Sequence, residues 1–257
     1  MTRALDRRGW LKGVFASAAG LALSACDKIT EAKPVTEFLI NAQGLNRRVH
    51  RLIGGNALAR EFSLADISPD FRANGITRPP GTDYAAHVTA NFADWRLKVD
   101  GLVERPLALS MAEVRNVVAR TQITRHDCVE GWSSIGQWKG AKLSAILEMA
   151  GLKPEAKFIV FHCADSWDAE APDGDYYYES VDLVDAYHPQ TILAYEMNGA
   201  PLPIAHGAPL RLRAERHLGY KQAKYVMRLE AVASFDHIGK GKGGFWEDRG
   251  YEWYAGI

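Results

Sequence analysis

Near the middle of the chain, one cysteine lies in the stretch Thr124-Arg125-His126-Asp127-Cys128-Val129-Glu130-Gly131-Trp132-Ser133. The residues before it predict a strand, and a segment with a hydrophobic face at 143–152 predicts a helix after it. A cysteine in such polar and aromatic surroundings serves in a disulfide, as a nucleophile, or as a thiolate ligand of a soft metal. We favour the metal ligand and expect the fold to be organised around Cys128.

Strand and helix signals are interleaved on both sides of this stretch, without a regular repeat. Ser110, followed by Glu113 three residues later, predicts a capped helix start. The predicted strands are 95–103, 106–109 at a sheet edge, 121–127, 157–162, 192–197 and one or two within 223–235. This order favours an α+β fold with a mixed sheet over a doubly wound sheet.

Three further expectations concern local structure. Apolar residues within 36–60 predict one or two short helices that break near Gly44 and at Gly54-Gly55. Residues 180–183 predict the start of a turn or helix. Asn198-Gly199 predicts a turn directly after the strand at 192–197.

The N-terminus carries the signals of an exported protein. Arg7-Arg8 precedes an apolar run at 13–23, too short to span a bilayer, which indicates a twin-arginine signal. Leu23-Ser24-Ala25-Cys26 resembles a bacterial lipobox in which Cys26 is lipidated; an ordinary signal peptide cut near Ala25 is the alternative. Because the twin-arginine route carries folded proteins, it favours a protein that acquires a bulky cofactor in the cytoplasm. We expect a periplasmic protein, lipid-anchored to the inner membrane.

The composition is that of an ordinary globular protein, 47% hydrophobic and 24% charged, with a formal net charge of zero. A neutral chain has no general attraction to nucleic acid, so we expect no nucleic-acid partner. Lipidation would consume Cys26 and leave Cys128 and Cys163, for which one disulfide is the alternative to a metal site.

The chain divides into four expected regions. Residues 1–25 are the signal, and residues 26–84 form a tether, short helices and a loop. Residues 85–235 form the main domain, and residues 236–257 form a tail rich in aromatic side chains. We expect this tail to pack on the domain surface; a wall of the substrate pocket or a contact with an electron partner are the alternatives.

Several motifs in a fixed order carry a family resemblance. They are CVEGWS at 128–133, WKGAKL at 138–143, NGAPLP at 198–203, HGAPLR at 206–211, and Gly219-Tyr220-Lys221 with Lys224. Over residues 92–235 the chain resembles the molybdenum-cofactor domain of the sulfite oxidase family, in particular its bacterial periplasmic methionine sulfoxide reductases. The resemblance implies the mixed-sheet fold of that domain and a molybdenum ion held by a molybdopterin dithiolene.

The resemblance also implies roles for individual residues. Cys128 is expected to be the catalytic thiolate ligand of molybdenum. The cofactor is expected to be held, largely through its phosphate, by His206, Arg211, Gly219, Tyr220, Lys221 and Lys224. For His206, a turn shaped by its neighbours Gly207 and Pro209 is the alternative.

Four weaker expectations follow from position alone. Cys163 aligns with a threonine that contacts the cofactor in the family, and a plain core cysteine is the alternative. Asp70, Arg72 and Asn74 lie where the family places an asparagine and a tyrosine-glutamate pair against the pterin. The residue types differ here, so we carry over only their position beside the cofactor.

The residues after the cysteine guide the expected reaction. Sulfite oxidases have an Ala-Gly-Asn-Arg-Arg run there, whereas Glu130 in this chain would repel the sulfite dianion. We therefore expect oxygen-atom transfer from a small neutral S-oxide or N-oxide, with electrons from a membrane haem or quinone subunit. Too few residues follow the domain for the family's dimerisation domain, so we expect a monomeric catalytic domain. A sulfite-type oxidase and a cofactor-fold accessory protein without turnover are alternatives, and a hydrolase using Cys128 and His126 is a weaker one.

Overall fold

A computed structural model describes residues 33–54, 57–167 and 175–257. The chain divides into two compact units, Met1–Gly55 and Asn56–Ile257. The twin-arginine pattern and Cys26 lie outside the described residues. Within the described ranges, every helix is too short or too polar to cross a membrane.

The described part of the first unit is one helix, α1 (Lys33–Gly54). It continues through Gly44, so the predicted break at that residue is wrong. Among the described residues, a Cβ at Gly44 would meet no atom within 4 Å outside the backbone of its own helix, and one glycine costs a helix only about 1 kcal/mol relative to alanine. The helix ends at Gly54, where the sequence predicted a break.

The second unit contains four α-helices and ten strands in its described residues, and its α+β class is confirmed. The helices are α2 (Thr82–Thr89), α3 (Met111–Asn116), α4 (Leu143–Ala150) and α5 (Leu183–Ala186). The strands of the first sheet are β1 (Arg96–Gly101), β2 (Leu107–Ser110), β5 (Phe158–Ser166), β6 (Tyr176–Asp182) and β10 (Val226–Val232). Those of the second are β3 (Ala119–Asp127), β4 (Ser133–Lys142), β7 (Ile192–Met197), β8 (Ala200–Pro201) and β9 (Arg211–Arg213).

The first sheet has the order β2-β1-β10-β5-β6, with β1 and β10 parallel and the other pairs antiparallel. The second has the order β3-β4-β7-β8, and β9 also pairs with β7. Their inner faces share one hydrophobic core with α4, whose Leu143, Ile146 and Leu147 are fully buried. Gly140 permits the close approach of β4 to β7, because a Cβ there would lie 2.1 Å from the Leu193 carbonyl oxygen.

Local sequence signals decided several boundaries correctly. The Ser110 side chain accepts from the Glu113 N–H while the Glu113 carboxylate accepts from the Ser110 N–H, so the capping box is confirmed. Asn198 and Gly199 both have positive φ, at 51° and 78°, in the predicted turn. The helix or turn predicted from Ser180 is wrong for three residues: β6 continues to Asp182, whose side chain then caps α5.

Candidate functional site

Cys128 lies in the loop that joins β3 to β4. Its backbone N–H donates to the Trp132 carbonyl at 2.9 Å, and the Gly131 N–H donates to the Cys128 carbonyl at 3.0 Å. Gly131 has φ +85°, a left-handed conformation that glycine adopts without strain. The hairpin therefore fixes Cys128 at the end of the second sheet. Cys128 and Cys163 are both free thiols, so the alternative of a disulfide between them is wrong.

A cavity of about 270 Å³ opens beside this hairpin. Its walls come from the loop before α2, the hairpin, the end of β5, the segment before β10, and the C-terminal tail. Seven residues predicted for the site line it: Arg72, Asn74, Cys128, Arg211, Gly219, Tyr220 and Lys224.

The thiol of Cys128 accepts a hydrogen bond from Asn74 Nδ2 at 3.4 Å. Burial raises the pKa of this thiol, while hydrogen bonds from the Glu130 backbone and from Asn74 oppose that rise. Lys224 holds the Asn74 loop in place, because its Nζ donates to the carbonyls of Asn74 at 2.7 Å, of Ile76, and of Ala205 at 3.3 Å. An ammonium has three N–H groups, and all three are directed at carbonyls. The structure therefore gives Lys224 a role in positioning Asn74, and its predicted phosphate contact gains no support.

The deep end of the cavity holds charged groups that the described residues leave incompletely paired. Arg211 is 5% exposed and donates to the His206 carbonyl at 3.1 Å, but its Nε has no acceptor within the described ranges. Burial, with Arg213 nearby, lowers the pKa of Arg211 to about 9. Asp165 is also 5% exposed, Oδ1 of its carboxylate has no donor there, and burial raises its pKa to about 7. Buried polar groups without partners are costly, so this end of the cavity suits a polar ligand.

His126 adds a neutral N–H donor to the same wall. Arg213, fully buried and paired with Glu215, lies with its NH1 3.1 Å from His126 Nδ1. Because arginine can only donate, Nδ1 accepts and the ring proton sits on Nε2. Burial and the nearby Arg213 hold the pKa of His126 well below its usual range. Gly219 faces this ring so closely that a Cβ would lie 2.6 Å from Nε2. A general-base role for His126 toward Cys128 is disfavoured, because its one basic nitrogen is occupied by Arg213.

Four residues predicted for the site lie outside the cavity lining. Asp70 is exposed. Cys163 is 7% exposed on β5, and its Sγ lies 3.9 Å from the Phe161 carbonyl. His206 packs its ring 5.7 Å from Phe71, and burial lowers its pKa to about 4.

Lys221 is the clearest departure from the predicted phosphate site. Its side chain is 1% exposed, and its Nζ pairs with the carboxylates of Glu179 and, at 2.6 Å, Glu247. Burial favours the neutral amine, but the two carboxylates outweigh it and the pKa of Lys221 is raised. This ammonium is already paired with two carboxylates, so its predicted phosphate contact gains no support.

Sequence reasoning missed several lining residues, among them Asp165, Tyr177, Gln222 and Ala223. A charged residue three positions after the predicted buried strand, which was predicted to end at residue 162, was the signal available for Asp165. The tail was expected to pack on the surface, but Phe245, Trp246 and Tyr251 line the cavity, as the alternative proposed.

The profile described as oxidoreductase molybdopterin-binding domain matches residues 85–237. A Campylobacter jejuni protein named protein-methionine-sulfoxide reductase catalytic subunit MsrP is 35% identical over 203 residues, 70% of this chain and 68% of its own. An Azospira oryzae protein, provisionally named protein-methionine-sulfoxide reductase subunit YedZ1, is 35% identical over 243 residues, 92% of this chain and 83% of its own. The sulfane dehydrogenase SoxCD of Paracoccus pantotrophus superposes with a TM-score of 0.49 and 25% identity, covering 55% of this chain and 39% of that one.

The lining residues fit a molybdopterin. The guanidinium of Arg211 can donate to a phosphate, and the Asp165 carboxylate can accept from N–H groups of a pterin ring. Gly219 lines the same cavity, and glycine is needed there because a Cβ would collide with His126. Cys128 supplies a soft thiolate ligand for molybdenum. With the profile match over more than half of its length, the chain belongs to the family of oxidoreductases with a molybdopterin-binding domain, and its cofactor is molybdenum-molybdopterin.

Proposed function

We propose that this enzyme reduces a neutral S-oxide, with methionine sulfoxide as the leading substrate. The observation that carries the proposal is the agreement between the 30–35% identical relatives named methionine-sulfoxide reductase catalytic subunits and the composition of the Cys128 hairpin. Glu130 follows the cysteine closely, and Trp132 Nε1 lies 3.2 Å from its carboxylate. An acidic and aromatic surrounding suits a neutral oxide better than a sulfite dianion.

The overall reaction breaks one sulfur–oxygen bond. The sulfur atom gains two electrons, and the released oxygen leaves as water after it takes up two protons. Bound molybdenum supplies the two-electron exchange of an oxygen atom. Cys128 would hold the metal, Asn74 would orient the thiolate, and Arg211 with Asp165 would bind the polar groups of the pterin.

Electrons would come from a membrane haem or quinone subunit. The sequence signals at residues 1–26 support a periplasmic enzyme exported by the twin-arginine route and anchored through a lipid on Cys26. Replacing both Arg7 and Arg8 with lysine should leave precursor in the cytoplasm, and Cys26→Ala should release soluble protein into the periplasm. Membrane retention of Cys26→Ala would contradict the lipid anchor.

The substrate assignment is tested in both directions on one preparation of the molybdenum-loaded protein. Reduced viologen should support reduction of methionine sulfoxide and of dimethyl sulfoxide, and trimethylamine N-oxide serves as the N-oxide comparison. Ferricyanide-coupled oxidation of sulfite should be slow. Rapid sulfite oxidation with no reduction of any S-oxide would overturn the proposal.

A further inference from the structure

The cavity has two chemically different ends. At the deep end, Arg211, Asp165 and His126 are each at most 5% exposed and offer charges or an N–H. At the mouth, Val129, Trp167 and Tyr251 are 43%, 47% and 41% exposed. Large apolar side chains gathered at one opening mark a binding surface. Because a charged, polar cofactor matches the deep end, the apolar mouth is left for the substrate.

Trp246 stands between the two exposed aromatic rings of this mouth. Its ring centroid lies 5.9 Å from that of Trp167, at an interplanar angle of 76°, and 5.3 Å from that of Tyr251, at 30°. All three residues line the cavity. Together they form a continuous aromatic wall, two of whose members come from the tail.

The sequence neighbours of Trp246 anchor this part of the tail to the domain. The Phe245 N–H donates to the Tyr178 carbonyl at 2.9 Å, and Glu247 is bound by the buried Lys221. Arg249 pairs with Asp175, which itself lines the cavity. A binding surface whose side chains are already ordered loses little conformational entropy when a ligand binds.

We propose that Trp246, with Trp167 and Tyr251, is the specificity-determining wall that selects S-oxides bearing an apolar substituent. The inference rests on the proposed S-oxide reductase function. The oxide end of an S-oxide would lie toward Cys128 and the polar side chains of the cavity, so the substituents on sulfur would face the mouth. Aromatic rings favour contact with both apolar groups and sulfur. A large apolar substituent therefore gains contacts on this wall that dimethyl sulfoxide does not make.

Kinetics of Trp246 variants in the molybdenum-loaded protein test the proposal. For methyl p-tolyl sulfoxide, Trp246→Ala should raise KM about tenfold, the scale of losing one aromatic contact surface, and leave kcat unchanged. For dimethyl sulfoxide, KM should change less than about twofold, since little apolar area is involved. Trp246→Phe should recover most of the tolyl affinity. Trp253→Phe is the matched control, because Trp253 packs 5.5 Å from Phe158 and is absent from the cavity lining.

Binding of an inert analogue separates this inference from the reaction itself. The calorimetric Kd of methyl p-tolyl sulfone should rise about tenfold in Trp246→Ala, in parallel with KM. Where Trp246→Ala fails to fold, Tyr251→Ala at the exposed edge should give the same selective change. Equal KM shifts for both sulfoxides, or no shift for either, would contradict the specificity role of the aromatic wall and leave the proposed reductase function intact. Wild-type protein that reduces no S-oxide would overturn the proposed function as well.

Discussion

Arg211 and Lys221 are two buried cations, ten residues apart in the sequence, that both fit a phosphate site on sequence grounds. Lys221 is 1% exposed, and its ammonium is paired with Glu179 and Glu247. Arg211 is 5% exposed, donates to one carbonyl, and has an Nε without an acceptor in the part of the chain that the structure describes.

The difference shows that the partners of a buried cation indicate its role. A cation that the fold itself neutralises ties elements together, and Lys221 joins β6, the segment before β10 and the tail. A buried cation that the fold leaves without an anion makes the empty protein less stable and is explained by a ligand. Both residues are buried cations, so it is their partners that separate the two roles.

The largest expected effect is the loss of stability when Lys221 is replaced. Lys221→Met leaves two buried carboxylates without their cation, so the free energy of unfolding should fall by about 3–5 kcal/mol. Chemical denaturation measures it. The control is Lys98→Met on the exposed face of β1, which should change stability by less than about 0.5 kcal/mol. An equal loss of unfolding free energy in both variants would contradict the structural role of Lys221.

Arg211→Met should instead affect the cofactor. The loss of one or two charge-assisted hydrogen bonds to a phosphate, each worth roughly 1.5–3 kcal/mol, weakens cofactor binding by at least tenfold. The pterin and molybdenum contents of purified, folded protein should therefore drop. Folded Lys221→Met should keep its cofactor. Full cofactor content in Arg211→Met would break the distinction between the two cations.

Asp165 extends the comparison to pH. Its pKa is raised to about 7 in the folded protein by burial, against about 3.9 in an unfolded chain. Between these values the folded state binds more protons, so the stability of the cofactor-free protein should fall as pH rises, by up to about 1.4 kcal/mol per pH unit. Asp165→Asn should flatten that slope in denaturation series from pH 4 to pH 7. A slope that the substitution leaves unchanged would show that Asp165 is already paired.

Asn74→Ala is expected to have the smallest effect. It removes one hydrogen bond to the Cys128 sulfur, worth about 1 kcal/mol, which corresponds to roughly 40 mV for one electron. Because the bond stabilises the electron-rich, reduced site, the midpoint potential of molybdenum should fall. A redox titration followed by paramagnetic resonance measures it, with Asn198→Ala, in the turn after β7 and absent from the cavity lining, as the control. An unchanged potential would mean that Asn74 does not contact the thiolate when the cofactor is bound.

The sequence predicted the elements that rest on local signals. The Ser110 capping box, the Asn198-Gly199 turn and the buried strand at β5 all follow from residues near one another in the chain. Cys128, Arg211 and Gly219 were found through motifs and lie together in the cavity. Lys221 could not be assigned from its motif, because Glu179 and Glu247 that neutralise it lie 42 and 26 residues away in sequence. The cavity wall formed by Trp246 also depends on contacts between residues far apart in the sequence, so the sequence offered it only as an alternative.

The two cysteines allow the most direct test of the account, which holds that Cys128 is the protein ligand of molybdenum in this cavity. Wild-type protein, Cys128→Ser and Cys163→Ser are purified from a host that makes the cofactor, and their molybdenum content and Mo(V) paramagnetic resonance are recorded. We predict a Mo(V) signal in the wild type and in Cys163→Ser, and its loss from folded Cys128→Ser. An unchanged Mo(V) signal in Cys128→Ser would contradict the account.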